Sequence, residues 1–175
     1  MTREGLQAAA LVLATMTMGL ITGAFALYAH TVMPGLSDTD DRTFVTAFQE
    51  LDRSIINPWF MAGGFIGALV FTALAAGLHI GGAARTVLPW IVAALVLYLI
   101  AVVITIGVEV PVNDDLKAAG DPDQIANLAT VRNDFDETTW ARWNVVRTLT
   151  SLAAFGCLAW SLVRHGRVAA STEGR

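Results

Sequence analysis

The sequence contains very little cysteine and few charged residues. Its single cysteine, Cys157, lies inside an apolar run, so an intrachain disulfide is excluded. Charged residues make up 15% of the chain, whereas soluble domains carry roughly 25%. The formal net charge is −4, and a negative balance of this kind gives no indication of a nucleic-acid partner.

Hydrophobic residues are abundant, at 55% of the chain, and they are concentrated in long uncharged runs. Helices of this length cross a hydrocarbon layer about 30 Å thick. The fourth run is uncharged only over 148–163, which is too short to cross this layer. Its helix must therefore extend back to Asn144, and this places Arg147 at membrane depth. The predicted spans are 6–29, 58–80, 86–108 and 144–163.

These runs predict an all-α fold, in which residues 1–175 form a single integral membrane domain built as a four-helix bundle. A cleaved signal peptide is the alternative for the first run, because Ala24 and Ala26 form an A-x-A-like site. Only Arg3 precedes this run, and the run is longer than a usual signal-peptide core. The length therefore favours a span.

Two long acidic loops, 30–57 and 109–143, connect the spans. In the first loop, Phe44, Phe48, Leu51 and Ile55 recur at helical spacing, which predicts a short amphipathic helix on the membrane surface or over the bundle. Pro34 is expected to mark the exit from the first span.

The second long loop also predicts a short helix. Asp121 before Pro122 is typical of a helix N-cap, and Leu128 and Phe135 would face inward together with Ile125. Pro111 is expected to mark the exit from the third span.

Glycines on the first two spans predict a close helix contact. Gly19 and Gly23 form one G-x-x-x-G motif, and Gly63 and Gly67 form another. Small residues at this spacing allow two helix backbones to approach each other in a membrane. We therefore expect the first and second spans to pack through these glycines.

Positive residues close to span ends predict the orientation of the bundle. Arg85 lies in the short link between the second and third spans, and Arg164, Arg167 and Arg175 follow the fourth span. Such residues favour the cytoplasmic side. The prediction is a multi-pass protein of the cell membrane, with both termini in the cytoplasm and both long loops outside.

Polar residues gather at the span ends on the side of the long loops. Asn144, Arg147 and Ser151 share one helical face of the fourth span, and Glu109 on the third span is the predicted ion-pair partner of Arg147. The candidate site residues are His30, Asn57, Glu109, Asn113, Arg142, Trp143, Asn144 and Arg147.

Four of these residues are candidates for a catalytic role. Arg147 can hold an anionic oxygen of a substrate, and His30 can remove a proton near neutral pH. Asn113 and Asn144 can orient the substrate or stabilise a developing oxyanion. The structural alternatives are a bundle-pinning ion pair for Arg147 and an interfacial histidine without a role for His30.

The remaining four, Asn57, Glu109, Arg142 and Trp143, are candidates for substrate binding. Asn57 is also a good helix N-cap, and Trp143 is also typical of the aromatic belt at a membrane interface. No set of metal ligands can be assembled from the sequence, and no phosphate loop, nucleophile elbow or cofactor motif is present.

Several segments recur in a recognisable order and spacing: Pro34-Gly35-Leu36, Phe48-Gln49, Ile56-Asn57-Pro58, Val110-Pro111-Val112-Asn113 and residues 140–148. The most specific are V-P-V-N and W-x-R-W-N-x-x-R. Together they resemble the anthrone oxygenase-like family of small four-span membrane proteins. The resemblance implies oxidation of an anthrone by dioxygen without a cofactor, with Asn113, Arg142, Asn144 and Arg147 at motif positions and His30 as base.

Two hypotheses for function follow from this resemblance. The first is a cofactor-independent oxygenase that acts on a lipophilic aromatic at the outer end of the bundle. The alternative is a non-enzymatic membrane scaffold or accessory subunit. The expected partners are the lipid bilayer and a lipophilic aromatic or quinone-like molecule. The sequence is compatible with a homo-oligomer. A third function, transport, would require oligomerisation, because one chain has too few buried polar groups to form a path.

Overall fold

The computed structural model describes residues 2–173, and Arg175 lies outside this range. The described chain is helical and contains no β-strand. Four of its helices are long and apolar enough to cross a membrane. The helices are α1 (Arg3–Ser37), α2 (Asp41–Ile55), α3 (Trp59–Leu78), α4 (Ala83–Ala118), α5 (Leu128–Phe135) and α6 (Glu137–Glu173).

The four long helices form an up-down-up-down bundle. Helix α1 packs against α3 and α6, and α4 packs against the same two helices from the opposite side. Helices α2 and α5 lie together at one end of the bundle, which we call the loop end. The other end, where α1 begins and α6 ends, is the terminal end. The predicted all-α membrane bundle with short helices in its long loops is confirmed.

A polar N-cap side chain precedes each of the helices α2, α5 and α6. Asp40 caps α2 by accepting a hydrogen bond from the Thr43 backbone N–H at 2.9 Å. This bond and a second one from the Thr43 hydroxyl hold the pKa of Asp40 below its usual range. Asn127 caps α5 and Asp136 caps α6 in the same way.

The helices of the first and third spans continue beyond the prolines that were expected to mark their exits. Helix α1 runs through Pro34 and α4 runs through Pro111. In each case a π-helical turn, Tyr28–Val32 or Thr105–Glu109, comes shortly before the proline. Proline clashes with the carbonyl four residues earlier in a regular α-helix, and the wider π turn removes that geometry. Both helices therefore continue past residues 29 and 108, where the predicted spans end.

The buried face of α2 differs from the predicted one. Phe44, Val45 and Phe48 are buried as the core of that face, but Leu51 is exposed, and Gln49 and Asp52 occupy buried positions instead. The amphipathic helix itself is confirmed. It covers the loop end of the bundle, where its rings pack with Phe135 of α5 and Trp140 of α6.

The second loop helix begins later than predicted. Asp121 does not cap a helix, because its carboxylate accepts the Asp123 N–H within a tight turn. The helix begins at Leu128 instead. Phe135 is buried, and Leu128 and Ile125 pack against the same aromatic cluster, as expected.

Helices α1 and α3 do pack closely, but not through both predicted motifs. Gly64 and Gly67 of α3 lie against Leu20, Ile21 and Thr17 of α1. Gly19 instead faces Phe155 of α6, and Gly23 has open space beside it (no neighbour within 4 Å). The contact between these spans is thus confirmed, and the glycine pairing proposed for α1 is wrong.

Replacing Gly67 with alanine is expected to destabilise the protein by about 1–3 kcal/mol. The new Cβ would lie 2.5 Å from the Ala62 carbonyl oxygen, which belongs to the π-helical stretch Trp59–Phe65 and cannot move as a flexible side chain could. Thermal unfolding in detergent measures the effect. Gly77→Ala on the same helix meets no atom within 4 Å and serves as the control; an equal loss in both variants would contradict this explanation.

Candidate functional site

A cavity of 390 Å³ lies at the loop end of the bundle, below α2. Residues of α1, α3, α4 and α6 form its walls, and most of its lining is apolar. This volume is in the range of sites that hold small organic ligands. Its polar lining residues are Asp52, Thr105, Glu109, Asn113, Asp114, Lys117 and Arg147.

Arg147 enters the cavity from α6 and is 7% exposed. Its Nη2 donates to Asn144 Oδ1 at 2.7 Å and its Nη1 donates to Thr105 Oγ1 at 3.2 Å. The guanidinium also lies 4.2 Å from the centre of the Phe25 ring, a favourable cation–π position. These contacts hold the guanidinium in one orientation while its Nε has no hydrogen-bond partner in the described chain.

Glu109 faces Arg147 from α4 and is 1% exposed. The predicted pairing is confirmed as an ion pair, with 3.8 Å between Glu109 Oε2 and Arg147 Nη2. This distance is too long for a hydrogen bond. Neither carboxylate oxygen has a hydrogen-bond partner among residues 2–173. A buried carboxylate without such a partner is costly and calls for an explanation by function.

The three π-helical turns in α1, α3 and α4 all lie at this end of the bundle, and each contributes residues to the cavity. Thr105 and Glu109 are the first and last residues of the turn in α4. Turns of this kind are frequent at functional sites, where they redirect side chains. The turn in α4 accordingly presents both residues to Arg147.

A second polar group connects the loop helices above the ion pair. Asn113 donates to Asp52 Oδ1 at 2.7 Å and accepts from Trp140 Nε1 at 2.9 Å. Asp52 also pairs with Lys117, whose Nζ lies 2.6 Å from Oδ2. The chain of contacts from Lys117 to Trp140 joins α2, α4 and α6, and so fixes the roof of the cavity.

Asp52, Thr105 and Lys117 line the cavity but were not predicted from the sequence. Asp52 had a recognisable signal, since it lies four residues after Phe48 and therefore on the apolar face of an amphipathic helix. A carboxylate at such a position needs a buried partner. Thr105 and Lys117 gave no comparable signal, because their roles depend on the π turn and on the packing of α2.

Replacing Asn113 with alanine is expected to lower the unfolding free energy by about 1–3 kcal/mol, because the indole N–H of Trp140 would lose its partner and Asp52 would lose one donor. Chemical unfolding followed by circular dichroism measures the change. Asn133→Ala, at an exposed position in α5, is the matched control. A loss of unfolding free energy no greater than that of the control would show that the roof does not depend on the Asn113 amide.

The predicted site residues divide into two groups. Glu109, Asn113 and Arg147 line the cavity, and Asn144 lies directly behind Arg147, where it donates to the Phe25 carbonyl at 3.2 Å. The other four predicted residues do not line the cavity. They are His30, Asn57, Arg142 and Trp143.

The placement of these four has simple physical reasons. His30 is exposed, with Nδ1 2.6 Å from the Thr31 hydroxyl. Asn57 is an N-cap whose Oδ1 accepts the Phe60 N–H. Arg142 is exposed on α6, because it is out of helical phase with Asn144 and Arg147. Trp143 is also exposed, although its spacing places it near the face of Arg147.

Two histidines form a separate pair at the terminal end. Nε2 of His79 lies 3.2 Å from Nδ1 of His165, and His79 Nδ1 lies 2.7 Å from the Ala75 carbonyl oxygen. Since a carbonyl only accepts, Nδ1 of His79 carries a hydrogen, and in the neutral imidazole its Nε2 accepts from His165. The pair joins α3 to α6 across the bundle and, within the described residues, belongs to no group that could hold a metal ion.

Together, the fold and the cavity define a class: a multi-pass membrane protein whose four helices enclose an apolar site with a buried carboxylate and guanidinium. A scan against protein-family models matches residues 57–157 to anthrone oxygenase. This match covers more than half of the chain, and the protein belongs to the anthrone oxygenase family. Searches of the curated proteins and of the solved structures found no match.

Proposed function

We propose that this protein is a cofactor-independent oxygenase that acts on a lipophilic aromatic of the anthrone type. Family membership and the size and apolar character of the cavity support the proposal. The observation that carries it is the pairing of a buried carboxylate that accepts no hydrogen bond from residues 2–173, Glu109, with a guanidinium at 3.8 Å in the same cavity. One group can accept a proton and the other can hold the resulting anion.

In the proposed first step, Glu109 removes a proton from the methylene carbon of an anthrone. The negative charge that remains is delocalised onto the substrate's carbonyl oxygen, where Arg147 binds it. We assign the proton transfer to Glu109 rather than His30, because His30 is exposed and lies outside the cavity. Asn144 and Thr105 act as positioning residues through their hydrogen bonds to Arg147.

The electron-rich carbanion then reduces dioxygen. A new carbon–oxygen bond gives a substrate hydroperoxide anion, which takes back the proton held by Glu109. Loss of water from the hydroperoxide leaves a carbonyl group. The methylene loses two hydrogens and gains one oxygen, the second oxygen leaves as water, and four electrons pass from substrate to dioxygen. An apolar cavity favours this sequence because it excludes bulk water.

Oxygen uptake by the purified protein in detergent, with a panel of anthrones and hydroquinones, tests the proposal. We expect one dioxygen to be consumed per anthrone converted, at a rate above that of heat-denatured protein. Chelator-treated protein should behave identically, because the substrate itself reduces dioxygen. Uptake no faster than in denatured samples across the whole panel would contradict the proposal.

The second candidate function is a non-enzymatic membrane scaffold or accessory subunit. The aromatic cluster of the loop end favours it, since Phe44, Phe48, Phe135 and Trp140 pack into a rigid cap of the kind that stabilises a structural rim. In that case the ion pair would serve only to join α4 to α6. Oxygen uptake would be absent, and substitutions at Arg147 would change stability alone.

For location, we propose that the protein resides in the cell membrane with both termini in the cytoplasm. The arginines near the span ends at the terminal end, Arg3, Arg85, Arg164 and Arg167, support this orientation. Reporter fusions that are active on only one side of the membrane test it. A C-terminal reporter that is active outside the cell would contradict the proposed orientation.

A further inference from the structure

The cavity is bordered on one side by apolar residues that also face outward from the bundle. Ile66 of α3 is 48% exposed and Ile106 of α4 is 63% exposed, yet both line the cavity. Val110 has the same double position on α4. Residues can satisfy both conditions only where the wall is interrupted, so the cavity opens between α3 and α4 towards the hydrocarbon layer.

Helix packing explains this opening. At the loop end, the π-helical stretch Trp59–Phe65 of α3 packs against α1, whereas the π turn Thr105–Glu109 of α4 packs against α6. The two stretches thus belong to opposite sides of the bundle. Helices α3 and α4 pack directly against each other through their α-helical lengths, 66–78 and 88–104.

Polar contacts border the opening from below and above. Below it, the Tyr98 hydroxyl of α4 donates to the Phe65 carbonyl of α3 at 2.9 Å. Above it, Lys117 binds both Asp52 and Asp114, with distances of 2.6 and 2.9 Å. A molecule that entered from water on the upper side would meet these charged groups. A molecule that entered sideways would meet the apolar side chains of Ile66, Ile106 and Val110.

We infer that this opening is a lateral portal, through which a neutral aromatic molecule dissolved in the bilayer enters the cavity. The inference rests on the proposed function for the identity of the occupant. The apolar rim at Ile66 and Ile106 favours an uncharged molecule, and the ion pair of Glu109 and Arg147 inside favours one that becomes an anion only after it has entered. Charged or strongly hydrated substrates are therefore disfavoured.

Cysteine labelling tests the portal without reference to oxygenation. Ala24 lines the cavity from α1, so Ala24→Cys in a Cys157→Ser background places one thiol inside. We expect a bilayer-dissolved fused-ring maleimide to label it rapidly in vesicles and a charged, water-soluble maleimide to label it slowly. Adding Ile106→Trp should slow the lipophilic reagent by about tenfold or more, because the larger ring narrows the opening.

Val103→Trp is the matched control, since Val103 is 67% exposed on the same helix and does not line the cavity. Ile66→Trp gives a second blocking variant, with Val70→Trp as its control. Thermal unfolding first shows that both blocking variants are folded. Unchanged labelling in both of them would then overturn the portal. Equally fast labelling by the charged reagent would also overturn it. Absence of oxygen uptake with an intact labelling pattern would instead contradict the proposed function alone.

Discussion

Oxygen uptake by the Arg147→Gln protein is expected to fall by about two to three orders of magnitude, the loss typical when one stabilising donor is removed from a developing oxyanion. Glutamine retains hydrogen-bonding capacity but carries no charge. It is also too short to keep the position over Phe25 that the guanidinium holds at 4.2 Å. The substrate anion would then form in an apolar cavity without a counter-charge, which is unfavourable.

Arg142→Gln is the matched control for this prediction. Arg142 lies on the same helix, five residues earlier, but it is exposed and does not line the cavity. Its replacement should leave turnover unchanged. Arg147→Lys should be strongly impaired as well, because an ammonium group cannot keep the bidentate geometry that Asn144 and Thr105 support. Equal turnover in Arg142→Gln and Arg147→Gln would contradict the role of Arg147.

The second large effect is expected at Glu109. Glu109→Gln preserves the shape of the side chain but cannot accept a proton, so turnover should fall by about 10²–10⁴-fold. Proton removal can be measured directly without oxygen. In anaerobic D₂O, the parent protein should accelerate deuterium incorporation at the methylene carbon of an anthrone, and the variant should not.

Two observations distinguish this role from a purely structural one. If the ion pair only joins α4 to α6, the parent protein should show no exchange, and Glu109→Gln should change stability alone, by about 3–5 kcal/mol for a buried charge left without its partner. If Glu109 is the base, the parent protein shows exchange and the variant loses it, whatever the change in stability. Glu50→Gln, at an exposed position on α2, controls for the general effect of removing a carboxylate.

Helical periodicity predicts side-chain directions in some parts of this chain and not in others. Asn144 and Arg147 were predicted to share a face because their spacing follows the α-helical period, and α6 is regular at that point. His30 belongs to a π-helical turn in α1. An α-helical period cannot give the direction of a side chain in such a turn. Its exposed position could not have been predicted from spacing alone.

The sequence by itself determined the membrane class, the number of spans, the short helices in the long loops and the pairing of Glu109 with Arg147. Each depends on local periodicity or on the cost of a charge in lipid, which are properties of short segments. The tertiary structure alone decided the cavity, its roof at Asp52 and its opening between α3 and α4. These features arise where π-helical turns change which helices touch, and such changes depend on contacts between segments distant in the chain.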